Sequence, residues 1–294
     1  MSQTGTITRQ AIGVVAVALL LTSGASAAPS RASAPAPGIA ASVEGAGPTV
    51  RLWRDGASGE VALLRAGSAS VTRILGTTLR ETSPGDGGRL VVDRYPSRRA
   101  ALRIVELRFG LSGAAIEAAL ARGQPAPPPV AVIASRRAAR RASSVDLHLH
   151  FGTNVRALAT ASRTAVAWIG HRALGLPLRE ASLLSSTTPQ GGSSGRLALL
   201  LYSDDGADPG AADARILTIQ GAPATSLGGR RLGVYLRGRG PNPRLGGAVA
   251  RRITRGEVVL RIGPVVALLT LPQLLTDAQL GALLGTARLV RPGG

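Results

Sequence analysis

The chain has no cysteine and, read residue by residue, no lysine. Without thiols it can hold no disulfide, iron–sulfur cluster or Cys-ligated zinc, and it offers no thiolate nucleophile. Without lysine it can form no Schiff base and carries no phosphate-loop lysine. Aromatic residues make up only 2%. A core must therefore be built from Leu, Val, Ile and Ala, and there are too few flat rings to stack single-stranded nucleic acid. Acid is scarce as well: 16 Asp and Glu stand against 35 basic residues, all arginine, for a formal charge of +19. That balance favours anionic partners. Arginine without lysine, beside abundant Ala, Gly and Pro, is also what a high-GC genome writes onto solvated faces.

What is present begins with Arg9, the apolar run Ala11–Leu21 and Ala25-Ser26-Ala27. This is the pattern of a secretory signal peptide cleaved near Ala27, and the run is short for a bilayer span. An uncleaved N-terminal anchor is the alternative. No cysteine follows the run, which excludes lipid attachment there, and no Arg-Arg pair precedes it. The protein is expected outside the cytoplasm, in the cell envelope or secreted.

With 294 residues, 45% of them hydrophobic, the chain has room for a proper core. Residues 28–47 are an Ala/Pro/Ser spacer. A first module, 48–123, holds β-rich segments at Thr49–Trp53, Glu60–Arg65, Ala69–Leu75, Arg89–Asp93 and Ala101–Phe109. Ser112 then caps a helix ending near Gly123, with Leu111 and Ile116 as a hydrophobic staple. Residues 124–129 read as a stiff Pro-rich linker.

The second module, 130–294, opens with a helix at Val130–Ala142 whose Arg136, Arg137, Arg140 and Arg141 fall on one side. Val145–Phe151 alternates as a strand, and Thr153–Arg163 reads as a short helix. Strands are expected at Ala165–Ile169, Arg196–Ser203, Ala214–Gln220, Arg231–Arg237, Ala248–Thr254, Glu257–Ile262 and Val265–Leu271. Thr276-Asp277-Ala278-Gln279 is a capping box, and Leu275 and Leu280 are its staple. The expected fold is α+β: a mostly antiparallel sheet with a few helices, the C-terminal helix packed on the sheet, in two modules. Val258–Leu275, broken by Arg261, Pro264 and Pro272, is not a membrane span.

Val166-Ala167-Trp168-Ile169-Gly170, Gly175-Leu176-Pro177-Leu178, and Leu200-Leu201-Tyr202 ahead of an acidic turn carry a resemblance. Over residues 160–290 the chain resembles a loose group of uncharacterised secreted or lipoprotein-like proteins of high-GC actinobacteria. The resemblance implies a short C-terminal helix and brings no assigned chemistry. Where that group often carries cysteines after the tyrosine, this chain has Ser203-Asp204-Asp205-Gly206.

Asp146, His148 and His150 share one strand face, a D-x-H-x-H spacing that could ligate zinc. The third histidine, His171, lies beside Gly170 in a turn. Gly191-Gly192-Ser193-Ser194-Gly195 matches G-x-S-x-G but lacks the strand before it and the helix after it. Asp204, Asp205, Asp208 and Asp213 crowd one loop without calcium-loop spacing. Trp168, between Val166 and Ile169, reads as a core anchor or a pocket wall. No residue is assigned here as catalytic, cofactor-binding or metal-ligating. The expectation is an exported, non-enzymatic cell-envelope protein of unknown role, a binding module for lipid or an anionic wall polymer, with no specific nucleic acid. The alternative is a metal-dependent hydrolase using Asp146, His148 and His150.

Overall fold

The computed structural model describes residues 37–44, 48–82, 89–187, 195–204, 215–237, 244–245 and 247–293. The segment Arg9–Ala27, read above as a signal peptide, lies outside them. The first half contains β1 (Gly38–Val43), β2 (Val50–Arg54), β3 (Val61–Arg65), β4 (Val71–Leu75), β5 (Thr78–Thr82) and β6 (Arg89–Arg94). After these come α1 (Arg98–Phe109), α2 (Gly113–Ala121), β7 (Gln124–Ala126) and α3 (Val130–Arg140).

The second half contains β8 (Ser144–His150), α4 (Val155–Ser162), β9 (Val166–Trp168), β10 (Arg172–Ala173), β11 (Leu176–Thr187) and β12 (Leu197–Ser203). It continues with β13 (Ile216–Pro223), α5 (Leu227–Gly233), β14 (Arg244–Leu245), β15 (Ala248–Arg252), β16 (Glu257–Ile262) and β17 (Val265–Thr270). It closes with α6 (Asp277–Gly285) and β18 (Arg288–Val290). The fold is α+β, dominated by one large, mostly antiparallel sheet. No helix among the described residues is long and apolar enough to cross a membrane.

Sixteen of the strands form one sheet, running β14-β15-β16-β17-β13-β12-β11-β8-β6-β5-β4-β3-β2-β1-β7 with β10 attached to β11. The two halves meet where β6 pairs with β8, the one parallel pairing among the described strands. Parallel neighbours need a long crossover, and α1, α2, β7 and α3 supply it. Helices α1 and α2 cover one face of the first half over Leu52, Leu63 and Leu79. Helix α3 covers the other face, placing Val132 against Trp53, Ala62 and Val71. In the second half the main core lies on that same side, where α4 and α6 pack on β11, β12, β13 and β17.

Two segments expected as strands are helical. Ala101–Phe109 is helical, not a strand: Ser97 accepts a hydrogen bond from the Ala100 N–H, and Gly110 closes the helix at φ +69°. A glycine in that left-handed region is the usual helix stop, and Ala101 and Val105, one turn apart, both reach the core. Its apolar residues form the narrow buried stripe of a helix, not the two faces of a buried strand. Arg231–Arg237 completes α5 and a following 3₁₀ turn instead of a strand.

Composition also misplaced two short stretches of mostly small residues and Pro. Gly38–Val43, assigned to the spacer, pairs with β2, and Gln124–Ala126, assigned to the linker, pairs with β1. The Trp53 indole N–H donates to the Ala126 carbonyl at 3.2 Å and fastens that end. The remaining helices match their sequence signals. In α6 the Gln279 N–H donates to Thr276 Oγ1 at 3.2 Å, and the Thr276 N–H donates to Gln279 Oε1 at 2.9 Å. Thr276→Ala should lower unfolding stability by about 1 kcal/mol, read as a shift in the urea midpoint at constant slope.

A candidate metal centre at the seam of the sheet

At the parallel seam, β6 and β8 place Asp93 directly beside His148. Across β8, His150 lies beside Ser182 of β11. Residues level with one another, or two apart along a strand, share a face. Asp93, His148, His150 and Ser182 therefore point the same way, together with Leu79, which packs beneath α1. Glu180, two residues before Ser182 in regular register, joins them, and the irregularity falls just beyond it. The β11–β12 register shifts between Leu178 and Glu180, so Leu178 enters the core on the opposite face while Glu180 keeps the face of His150. A bulge that redirects one side chain has this effect.

The contacts are close. His148 Nδ1 lies 2.9 Å from Asp93 Oδ1, and His150 Nε2 lies 3.1 Å from the same oxygen. On its far side, His150 Nδ1 hydrogen-bonds Glu180 Oε1. The Tyr95 ring stacks on His150 at 4.3 Å and 8°. One ligand atom from each of Asp93, His148 and His150 falls within 4.8 Å of the others. Metal–nitrogen and metal–oxygen bonds of about 2.0–2.1 Å separate the ligand atoms of a tetrahedron by roughly 3.3 Å. The two O···N separations already approach that value. Side-chain exposure falls from 28% at His148 to 13% at His150 and 6% at Asp93, so the cluster is anchored at one end and open to solvent at the other.

The electrostatics follow from this packing. Burial alone would raise the Asp93 carboxyl, but hydrogen bonds from both histidines and their charge outweigh it and hold Asp93 well below the usual carboxylate range. Burial alone would lower His150, yet its bonds to Asp93 and Glu180 and their two charges raise it from 6.5 to about 9. Burial, and next the Asp93 charge, push the Tyr95 phenol up. Without metal, His150 is thus an imidazolium held between two carboxylates across the seam. A group raised in the folded state stabilises fully below its unfolded value and loses that contribution as pH climbs through its folded value. Metal-free protein should therefore lose on the order of 3 kcal/mol of stability between pH 6.5 and about 9. Urea unfolding across that range checks this, and His150→Gln should flatten the slope.

The candidate residues read from sequence separate here. His148 and His150 meet, but Asp146 does not join them: it is buried and paired with Arg89. Asp93 stands beside the two histidines where the D-x-H-x-H spacing suggested Asp146. His171 lies elsewhere, edge-on to Trp168 at 4.9 Å. Arg136 leaves the expected basic face, lying over the Trp53 ring at 5.1 Å and bridging Asp55 and Glu60, whereas Arg137, Arg140 and Arg141 are exposed. Tyr202 is core, donating its hydroxyl to the Gly170 carbonyl at 3.0 Å. Gly191–Ser194 of the G-x-S-x-G match, and Asp205, Asp208 and Asp213 of the acidic loop, lie outside the described residues.

Comparison of the chain with protein-family models, with curated proteins and with solved structures finds no match in any of the three. Function must be read from the site itself. Sequence reasoning missed Asp93, Tyr95 and Glu180. Asp93 carried a faint signal, a lone acid closing the apolar run Leu90-Val91-Val92, but nothing local tied it to histidines 55 and 57 residues on.

Proposed function

We propose that the protein binds one divalent transition metal, zinc foremost, through Asp93, His148 and His150. The observation that carries this reading is the Glu180 carboxylate behind His150. By accepting the Nδ1 proton it fixes the tautomer and leaves the Nε2 lone pair free for a metal, the carboxylate–histidine–metal arrangement. Asp93 is the anionic ligand and His148 coordinates through Nδ1. Two imidazoles and a carboxylate form a donor set for zinc or iron(II).

Three protein ligands leave a position for water, and the exposed His148 side gives access to it. The binding module expected from the sequence thus acquires a definite ligand, and metal-assisted hydrolysis is its enzymatic form, with Asp93 in the role first given to Asp146. Export to the cell envelope, and kinship with the actinobacterial proteins named above, belong to the same proposal. They rest on the Arg9–Ala27 pattern and the Trp168, Leu176 and Tyr202 segments. The test is a zinc titration of chelator-treated protein against a competing indicator dye. One zinc per chain is expected, with proton release as His150 gives up its Nε2 proton. Zinc uptake below stoichiometry under metal-replete conditions would sink the proposal.

A further inference from the structure

On the opposite face of the sheet from the histidines, a solvent-open cleft of about 670 Å³ lies between the start of α4, the β9–β10 turn and the end of β18. That volume suits a small organic ligand. Its apolar wall is formed by Trp168, Val155 and Leu289, and its rim by Arg156, His171 and Arg291. The two rim arginines come from separate elements, with His171 between them, and no carboxylate lines the cleft among the described residues. Elsewhere the chain spends its few acids on its arginines: Arg54, Arg73, Arg89, Arg98, Arg108, Arg136 and Arg252 all have carboxylate partners. Among the described residues no carboxylate pairs with Arg156 or Arg291 around this cleft.

The local helix geometry points the same way. Helix α4 carries no acid in its first turn to offset its positive end, and Arg156 sits there instead. An arginine at that position works against the helix dipole. Asn154 caps the Ala157 N–H, and Arg156 stands in the same first turn. A bound anion would offset the dipole and both guanidinium groups together. The indole nitrogen of Trp168, sealed from solvent, has no acceptor among the described residues, and the ring offers its surface to an apolar body.

We infer that this cleft binds a small organic anion, its carboxylate or phosphoryl group held by Arg156 and Arg291 and its apolar body lying along Trp168. The site is independent of the metal centre, so either can fail alone. Calorimetric titration of the full chain with benzoate, phenyl phosphate and inorganic phosphate tests it. Saturable binding of benzoate or phenyl phosphate is expected, the tighter of the two identifying the head group. In the Arg156→Gln/Arg291→Gln double variant, affinity should fall at least about tenfold with an unchanged unfolding midpoint, since both side chains are exposed. No saturable binding of either aromatic anion at millimolar concentration would overturn the inference. So would inorganic phosphate binding as tightly as phenyl phosphate, or affinity that survives the double substitution.

Discussion

Asp93→Ala should reduce zinc affinity by well over a hundredfold, while Glu180→Gln should reduce it by about 10- to 100-fold. The two substitutions act at different depths. Asp93 supplies the anionic donor and the oxygen that both histidines face. Glu180 touches only the outer nitrogen of His150, so its loss releases the tautomer and the ring orientation without removing a ligand. Asp146→Asn, on the same strand face but paired with Arg89, should leave affinity within about threefold, as expected of a residue outside both shells. Competition titrations of the three variants therefore separate ligand, positioning residue and bystander. If Asp146→Asn lost zinc and Asp93→Ala kept it, the assignment would be reversed.

The second large effect lies under α3. Arg136→Ala should cost about 3 kcal/mol of unfolding stability, because it takes one of two cations from buried Glu60 and the guanidinium partner from half-buried Asp55. Glu60 is 5% exposed, and Arg136 bonds it at 2.9 Å while also reaching Asp55 and covering Trp53. Arg73, 3.7 Å from Glu60, is the remaining buried cation, and burial holds its guanidinium below the ordinary value. The same substitution at exposed Arg137, Arg140 or Arg141 should change stability by no more than about 0.5 kcal/mol. Urea unfolding of the four variants measures this. Four equal, small effects would show that the helix presents all its arginines to solvent, as charge spacing alone suggested.

These residues also show what could be read from the chain in advance. Local signals were legible. Ser112 and Thr276 announced their helices through side chains that bond N–H groups three residues on, and the alternation of Val145–Phe151 fixed which residues share a face. The site needed more than local signals. Asp93 meets His148 only because a crossover of two helices, a strand and a third helix returns the chain parallel to β6. No periodicity within either strand encodes that register. Glu180 reaches His150 because β11 pairs with β8 and sets Ser182 level with His150, a pairing between segments about 30 residues apart that no local pattern announces. Gly38–Val43 and Gln124–Ala126 were hidden by composition: Ala, Gly and Pro describe a spacer equally well until partner strands supply their hydrogen bonds. Arg136 was misjudged for the same reason, since its acids, Asp55 and Glu60, come from a distant hairpin.

The metal centre is tested most directly by X-ray absorption at the zinc edge on protein loaded with one equivalent of zinc. The account predicts a first shell of four nitrogen and oxygen neighbours at about 2.0–2.1 Å, with the outer-shell scattering of two imidazoles, falling to one in His150→Ala. A shell of oxygens alone, or a spectrum unchanged by that substitution, would contradict it.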